Sequence, residues 1–153
     1  MQPRGGGGGG VSSEEIIAKT AADIQSKIPA EFDVSVLRKK MSAANANGVP
    51  SPIEVVLMQE LDRWNDLNNY MRRSLRDLQR ALKGELGMSA DLDSIGQALL
   101  NGTLPPQWAK LTSSTRKGLS NWISMWVKRQ DQYKTWVDEG EPLVQPRTLH
   151  SQP

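Results

Sequence analysis

The chain has 153 residues, 19 Lys and Arg against 17 Asp and Glu, no Cys and a single His. This length suits one domain, and a formal charge of only +2 disfavours a protein that binds polyanions over its whole surface. The lack of Cys excludes disulfides, thiolate zinc sites and a cysteine nucleophile.

The first ten residues, MQPRGGGGGG, are predicted to form a flexible Gly-rich linker, because glycine loses the most backbone entropy on ordering. They contain no apolar signal-peptide segment, so we expect an intracellular protein. The later apolar runs are far shorter than the roughly 20 residues that cross a bilayer. No membrane span is expected.

The first helix is predicted to begin at Ser12, whose spacing to Glu15 is that of a capping box, and to end before Pro29. Its apolar face is expected to carry Ile16, Ile17, Ala21, Ile24 and Ile28. A short second helix is expected over residues 33–40. Residues 42–50 have turn composition and are predicted to be a loop.

The strongest pattern predicts a long helix over residues 52–82. Ser51, Pro52 and Glu54 supply an N-cap, a proline at the first helical position and the acid of a capping box. At about 1.5 Å per residue this helix is roughly 46 Å long, so we expect a larger partner to cover its apolar stripe. The stripe repeats every ~3.6 residues and comprises Ile53, Leu57, Leu61, Trp64, Leu67, Met71, Leu75, Leu78 and Leu82.

Two further helices are predicted in the second half of the sequence. The first runs from the N-cap Ser89 to the stop signal Asn101-Gly102, after which two prolines turn the backbone. The second ends at Gly140, and its apolar face carries Leu119, Trp122, Ile123, Trp126, Gln130, Tyr133 and Val137. The expected fold is all-α, an irregular array of about four to five helices, one of which is the long central helix. This fold occupies residues 11–144, and residues 145–153 are expected to be a disordered polar tail.

No catalytic, cofactor or metal site is predicted. A phosphate-binding loop needs a glycine-rich turn that ends in Lys and Ser or Thr and follows a strand, and the glycine run at 5–10 has neither feature. Two acidic pairs, Glu14-Glu15 and Asp91-Asp93, lack a converging histidine and are better explained as charges at helix N-termini.

The basic stretch RRSLRDLQRALKG, residues 72–84, is the main candidate surface for an interaction. Its cations lie on a different face from the apolar stripe, and Asp77 interrupts them. A solvated or salt-bridged face is favoured, a docking face for an acidic neighbour comes second, and a membrane-lying helix is disfavoured by the acids nearby. Trp108 could anchor a loop or a partner, and Trp136 is left unassigned. The possible interface residues are Arg72, Arg73, Arg76, Arg80, Lys83 and Trp108.

Seven segments follow one another between residue 2 and about residue 144: QPR with the glycine run, the helix start SEEI, DIQSKIPAEFDV, VVLMQELDRWNDL, RRSLRDLQRALKG, MSADLDSIGQALLNGTLPPQWAK and LSNWISMWVKRQDQYKTWVDEGEP. In this order they resemble the C-terminal region of dynein heavy chains, from the end of the last AAA module onwards. The segments LLNGTLPPQWAK and RRSLRDLQRALKG are the most specific. The stretch from WAK to WVDEGEP is similar to axonemal members of the family.

The resemblance implies a non-catalytic helical segment of a microtubule minus-end-directed motor, packed against the AAA+ ring. The implied partners are the AAA+ ring of the same heavy chain or other dynein subunits, with microtubules contacted only indirectly. From the residues themselves, no membrane contact and no cofactor are expected. The implied location is the cytoplasm and cytoskeleton, in the axoneme of a cilium or flagellum.

Two further expectations accompany the resemblance. Family members continue, beyond the equivalent of Val144, into an aromatic, glycine-containing segment and β-rich structure, whereas here QPRTLHSQP follows. We therefore expect a fragment, a truncated gene model or an alternative product.

The alternative function is a helical adaptor that binds an acidic partner or RNA through the face from Arg72 to Lys83. RNA is disfavoured because Tyr70 is the only aromatic residue near these cations.

Overall fold

The structure, a computed structural model, describes residues 12–112 and 118–139. Within these ranges the regular secondary structure is entirely helical, which confirms the all-α class. The predictions for residues 1–10, Gly140 and residues 145–153 lie outside the described part of the molecule. The helices are α1 (Ser13–Lys27), α2 (Val34–Ala44), α3 (Pro52–Leu82), α4 (Ala90–Asn101), α5 (Pro106–Thr112) and α6 (Leu119–Glu139).

The helices begin where the sequence places their caps. Ser12 and Ser51 each accept a hydrogen bond from the backbone N–H three residues later, and Glu15 and Glu54 complete both capping boxes. Helix α2 extends past its predicted end at residue 40, to Ala44, so the following loop is shorter than expected.

Helix α5 adds one helix to the four or five expected. Pro106 lies at its first position, where a missing N–H and a fixed φ suit a helix. The carbonyl of Pro105 accepts hydrogen bonds from the N–H groups of Trp108 and Ala109, each 3.0 Å long. The two prolines therefore both turn the backbone and begin a helix.

Gly102 sets the corner after α4. Its φ of 74° is left-handed, a conformation that glycine adopts without strain, and Thr103 N–H donates 2.9 Å back to the carbonyl of Ala98. The N–H of Leu119 donates 2.9 Å to the carbonyl of Gly102, which ties the start of α6 to this corner.

Helix α3 runs through two hydrophobic clusters. The large cluster packs α1, α4, α5 and the beginning of α6 around the C-terminal part of α3. The small cluster packs α2 and the end of α6 against its N-terminal part, and Trp64 contacts both. The α3 residues of the large cluster are Leu67, Met71, Leu75 and Leu78. Those of the small cluster are Leu57, Met58 and Leu61.

The apolar stripe of α3 is covered mainly by the other helices of the same molecule. Leu61, Met71 and Leu75 are completely buried by them. The expectation that a larger partner must cover the stripe is therefore wrong for its centre. At the ends, where Ile53 is 44% exposed and Leu82 is half-buried, the expectation of a covering partner stays a prediction.

Candidate interaction surfaces

The basic face of α3 is mostly exposed. Arg73 lies over the ring of Tyr70, with 6.0 Å between the guanidinium carbon and the ring centroid. Arg76 and Arg80 approach Asp77 and Glu85 at 3.6 Å, distances typical of loose surface ion pairs. Lys83, the C-cap residue of α3, is exposed. This geometry supports the salt-bridged interpretation and leaves the same cations accessible to solvent.

Arg72 differs from its neighbours because its guanidinium binds inside the molecule. Its Nη2 donates 2.7 Å to the carbonyl of Pro29, and its Nη1 donates 2.6 Å to Asn69 Oδ1. Asn69 in turn donates 2.8 Å to Glu31 Oε2. Arg72 therefore holds the α1–α2 connection against α3 instead of serving as a surface contact.

Asn65 fixes the same connection further along α3. Its Oδ1 accepts from the N–H of Phe32 at 3.0 Å, and its Nδ2 donates to the carbonyl of Phe32 at 2.8 Å. These two bonds satisfy the backbone of a residue outside any helix. No sequence pattern indicated this role, because Asn65 looks like an ordinary polar position beside the stripe.

Trp108 is not a surface anchor. It is completely buried in the large cluster, and its indole Nε1 donates 3.2 Å to Ser74 Oγ. Its ring lies 6.2 Å from that of Trp122, centroid to centroid. The expected partner contact at Trp108 is therefore wrong, since the residue holds α5 against α3.

Two more tryptophans join α3 and α6 by hydrogen bonds. Trp126 Nε1 donates 2.8 Å to Asn68 Oδ1, and both residues are buried. Trp64 Nε1 donates 2.6 Å to Gln130 Oε1. Sequence reasoning missed Asn68 and Ser74 as acceptors, although a buried indole N–H normally needs one. Trp136, left unassigned above, is buried in the small cluster.

A groove of about 460 Å³ lies between α3 and α6, next to the end of α5. Its aromatic wall contains Trp64, Trp126 and Tyr133, and at its mouth Leu111 is 40% and Met125 46% exposed. Its charged residues are Glu60, Arg63 and Arg129.

The carboxylate in this groove is already engaged. Glu60 Oε1 accepts from the Tyr133 hydroxyl at 3.1 Å, and Glu60 Oε2 accepts from Arg63 at 2.9 Å. Burial is the main reason why the pKa of Tyr133 is raised above its ordinary value; the negative charge of Glu60 adds to the rise, and Arg129 opposes it. Tyr133 thus remains a neutral hydrogen-bond donor at physiological pH.

Two other kinds of site are absent from the described part of the molecule. Among residues 12–112 and 118–139, no three His, Cys, Asp or Glu side chains are grouped so that they could hold a metal ion. In the same ranges, no helix has the length and apolar character to cross a membrane.

Comparison with known proteins places these surfaces in a family context. Residues 1–147 match the family model for the C-terminal domain of dynein heavy chains. The sequence is similar to the Dynein-1-alpha heavy chain of the flagellar inner arm I1 complex of Chlamydomonas reinhardtii, with 50% identity over 145 residues, or 94% of this sequence and 3% of that protein.

Two mammalian proteins are also similar. Dynein axonemal heavy chain 10 of Homo sapiens is 41% identical over 145 residues, which cover 94% of this sequence and 3% of that protein. Dynein axonemal heavy chain 3 of Mus musculus is 35% identical over 142 residues, or 93% and 3% respectively. The matched region thus spans about 3% of the length of these relatives.

Proposed function

We propose a structural role for this protein, which belongs to the family of C-terminal domains of dynein heavy chains. It acts as a non-catalytic helical segment of a microtubule minus-end-directed dynein motor and packs against the AAA+ ring of the same heavy chain. Its place is the axoneme of a cilium or flagellum. The observation that carries the proposal is the family match over residues 1–147, together with similarity to flagellar and axonemal heavy chains.

The use of interior polar groups supports a structural role. Ser74, Asn65 and Asn68 are the buried polar residues of the described core, and each hydrogen-bonds another element of the fold. Tyr133 and Glu60 are likewise bonded to each other. These groups stabilise the packing of the helices around α3.

The basic face of α3 is the surface that we assign to the ring contact. Arg73, Arg76, Arg80 and Lys83 lie on it, and the loose ion pairs of Arg76 and Arg80 can be exchanged for carboxylates of a neighbour at little cost. Arg72 is left out of this surface because it binds Pro29 and Asn69.

The test compares charge reversals on two surfaces. Arg76→Glu with Lys83→Glu should weaken binding of this protein to a purified AAA+ ring fragment of an axonemal heavy chain, with the largest effect at low salt. The matched control reverses Lys19 and Lys27 on α1, which are also exposed cations. If both pairs of changes weaken binding equally, the assignment of this face is refuted.

Two further measurements test the role itself. The purified protein is expected to show no Mg-ATP hydrolysis. Turnover that a point change within residues 12–139 abolishes would contradict the non-catalytic role. RNA binding with a steep salt dependence would instead favour the adaptor function.

A further inference from the structure

The groove between α3 and α6 is walled by aromatic residues of the core and also carries exposed apolar side chains. Leu111 and Met125 lie at its mouth with large exposed fractions, although methionine and leucine normally contribute to the core. Tryptophan, tyrosine, methionine and arginine are the side chains enriched at protein interfaces. A cavity of about 460 Å³ falls within the range of ~300–1,000 Å³ typical of binding pockets.

The charges of the groove favour a carboxylate from outside. Glu60 already accepts hydrogen bonds from Tyr133 and Arg63. Within the described residues Arg129 forms no ion pair with a carboxylate, so the groove has two guanidinium groups against one acid. Arg129 interacts with the Tyr133 hydroxyl, whose pKa it lowers, but an incoming Asp or Glu can pair with it without breaking an ion pair among the described residues.

The aromatic geometry favours an aliphatic side chain over a nucleic-acid base. Trp122 and Trp126 stack on each other, with centroids 6.0 Å apart and an interplanar angle of 12°, and both are buried, so neither has an open face. Tyr133 packs edgewise against Trp64 at 5.2 Å. Single-stranded nucleic acids need open aromatic faces on which bases can stack.

We infer that this groove is a docking site for an acidic amphipathic peptide segment of another protein, with a leucine-like side chain against Met125 and Leu111 and a carboxylate on Arg129. The site shares no residue with the basic face of α3. A result that disproves this docking site therefore leaves the proposed ring contact untested, and a result that disproves the ring contact leaves the docking site untested.

The experiment uses the full 153-residue protein and a fluorescein-labelled peptide, LEELLEEL, followed by fluorescence anisotropy. The parent protein should bind this peptide saturably, and Arg129→Glu should weaken binding at least about tenfold, or ~1.4 kcal/mol. Met125→Ala should weaken it several-fold through lost apolar contact. The matched control is Lys128→Glu, which makes the same charge change outside the groove and should leave the affinity within about twofold.

Each opposite outcome overturns the inference. These outcomes are no saturable binding by the parent protein, equal binding of the basic peptide LKKLLKKL, and equal weakening by Lys128→Glu and Arg129→Glu. Displacement of the peptide by oligouridine would assign the groove to nucleic acid. If sedimentation shows that the protein self-associates and thereby blocks peptide binding, the groove would be assigned to a second copy of the same molecule. Circular dichroism checks that each variant folds. If Arg129→Glu does not fold, Met125→Ala still tests the groove, because Met125 is exposed.

Discussion

Replacement of Asn68 by Ala tests whether the indole hydrogen bonds stabilise the packing of α6 on α3. Asn68 is 4% and Trp126 3% exposed, so the lost acceptor is largely shielded from water. An unsatisfied buried N–H costs about 1–3 kcal/mol, while Ala favours a helix over Asn by about 0.6 kcal/mol. The net fall in the free energy of unfolding is therefore expected to be about 0.5–2.5 kcal/mol, measured by urea denaturation.

A double-mutant cycle separates this hydrogen bond from other losses. Trp126→Phe removes the donor, and the coupling between the two substitutions should be about 1 kcal/mol. Asn121→Ala is the control, because Asn121 is exposed on α6 and its replacement should change stability by no more than the helix-propensity gain of about 0.6 kcal/mol. A coupling energy near zero, or a loss for Asn68→Ala no larger than that of the control, would refute the reasoning.

Three other predictions concern backbone conformation, pH and capping. Gly102→Ala should lower the free energy of unfolding by about 1–2 kcal/mol because φ is 74°. Gly96→Ala should raise it by up to about 1 kcal/mol, since a Cβ there would meet Leu78 at an ordinary 3.5 Å; thermal melts that shift in the same direction for both would contradict this. Folding raises the pKa of Tyr133. The stability that neutral Tyr133 contributes is therefore fully present below the ordinary tyrosine pKa of about 10 and is lost as the pH rises through the raised pKa. Since the pKa of Tyr70 is raised as well, absorbance of tyrosinate should show two delayed titrations in the parent protein and one in Tyr133→Phe. The pKa of Glu54 is lowered mainly by the hydrogen bond that the Ser51 backbone N–H donates to it. The stability that ionised Glu54 contributes should therefore be lost as the pH falls through this lowered pKa. Glu54→Gln should remove this part of the pH dependence of thermal melting.

The long helix was predictable because all of its determinants are local. Ser51, Pro52 and Glu54 mark its start in register, and the ~3.6-residue repeat of apolar side chains continues to Leu82. The predicted and observed bounds agree. Helix α5 was missed because seven residues are too few for a repeat to show.

The candidate sites were less predictable because they depend on pairs of residues distant in the sequence. The cations of RRSLRDLQRALKG look alike in the sequence, yet Arg72 alone reaches the carbonyl of Pro29, 43 positions away. Trp108 follows two prolines and was expected to anchor a loop or a partner, but Ser74 on another helix supplies its hydrogen-bond acceptor. The groove depends on the spacing between α3 and α6, which no local pattern encodes.

The passage of α3 and α6 through both hydrophobic clusters bears on how the fold opens. Glu60, Trp64 and Asn68 on α3 bind Tyr133, Gln130 and Trp126 on α6 in antiparallel order. Both clusters contain residues of α3 and α6. If the packing of one cluster is lost, part of a helix that also packs in the other cluster must therefore unfold. Amide hydrogens at the two ends of α3 should consequently exchange in one concerted opening rather than as separate foldons.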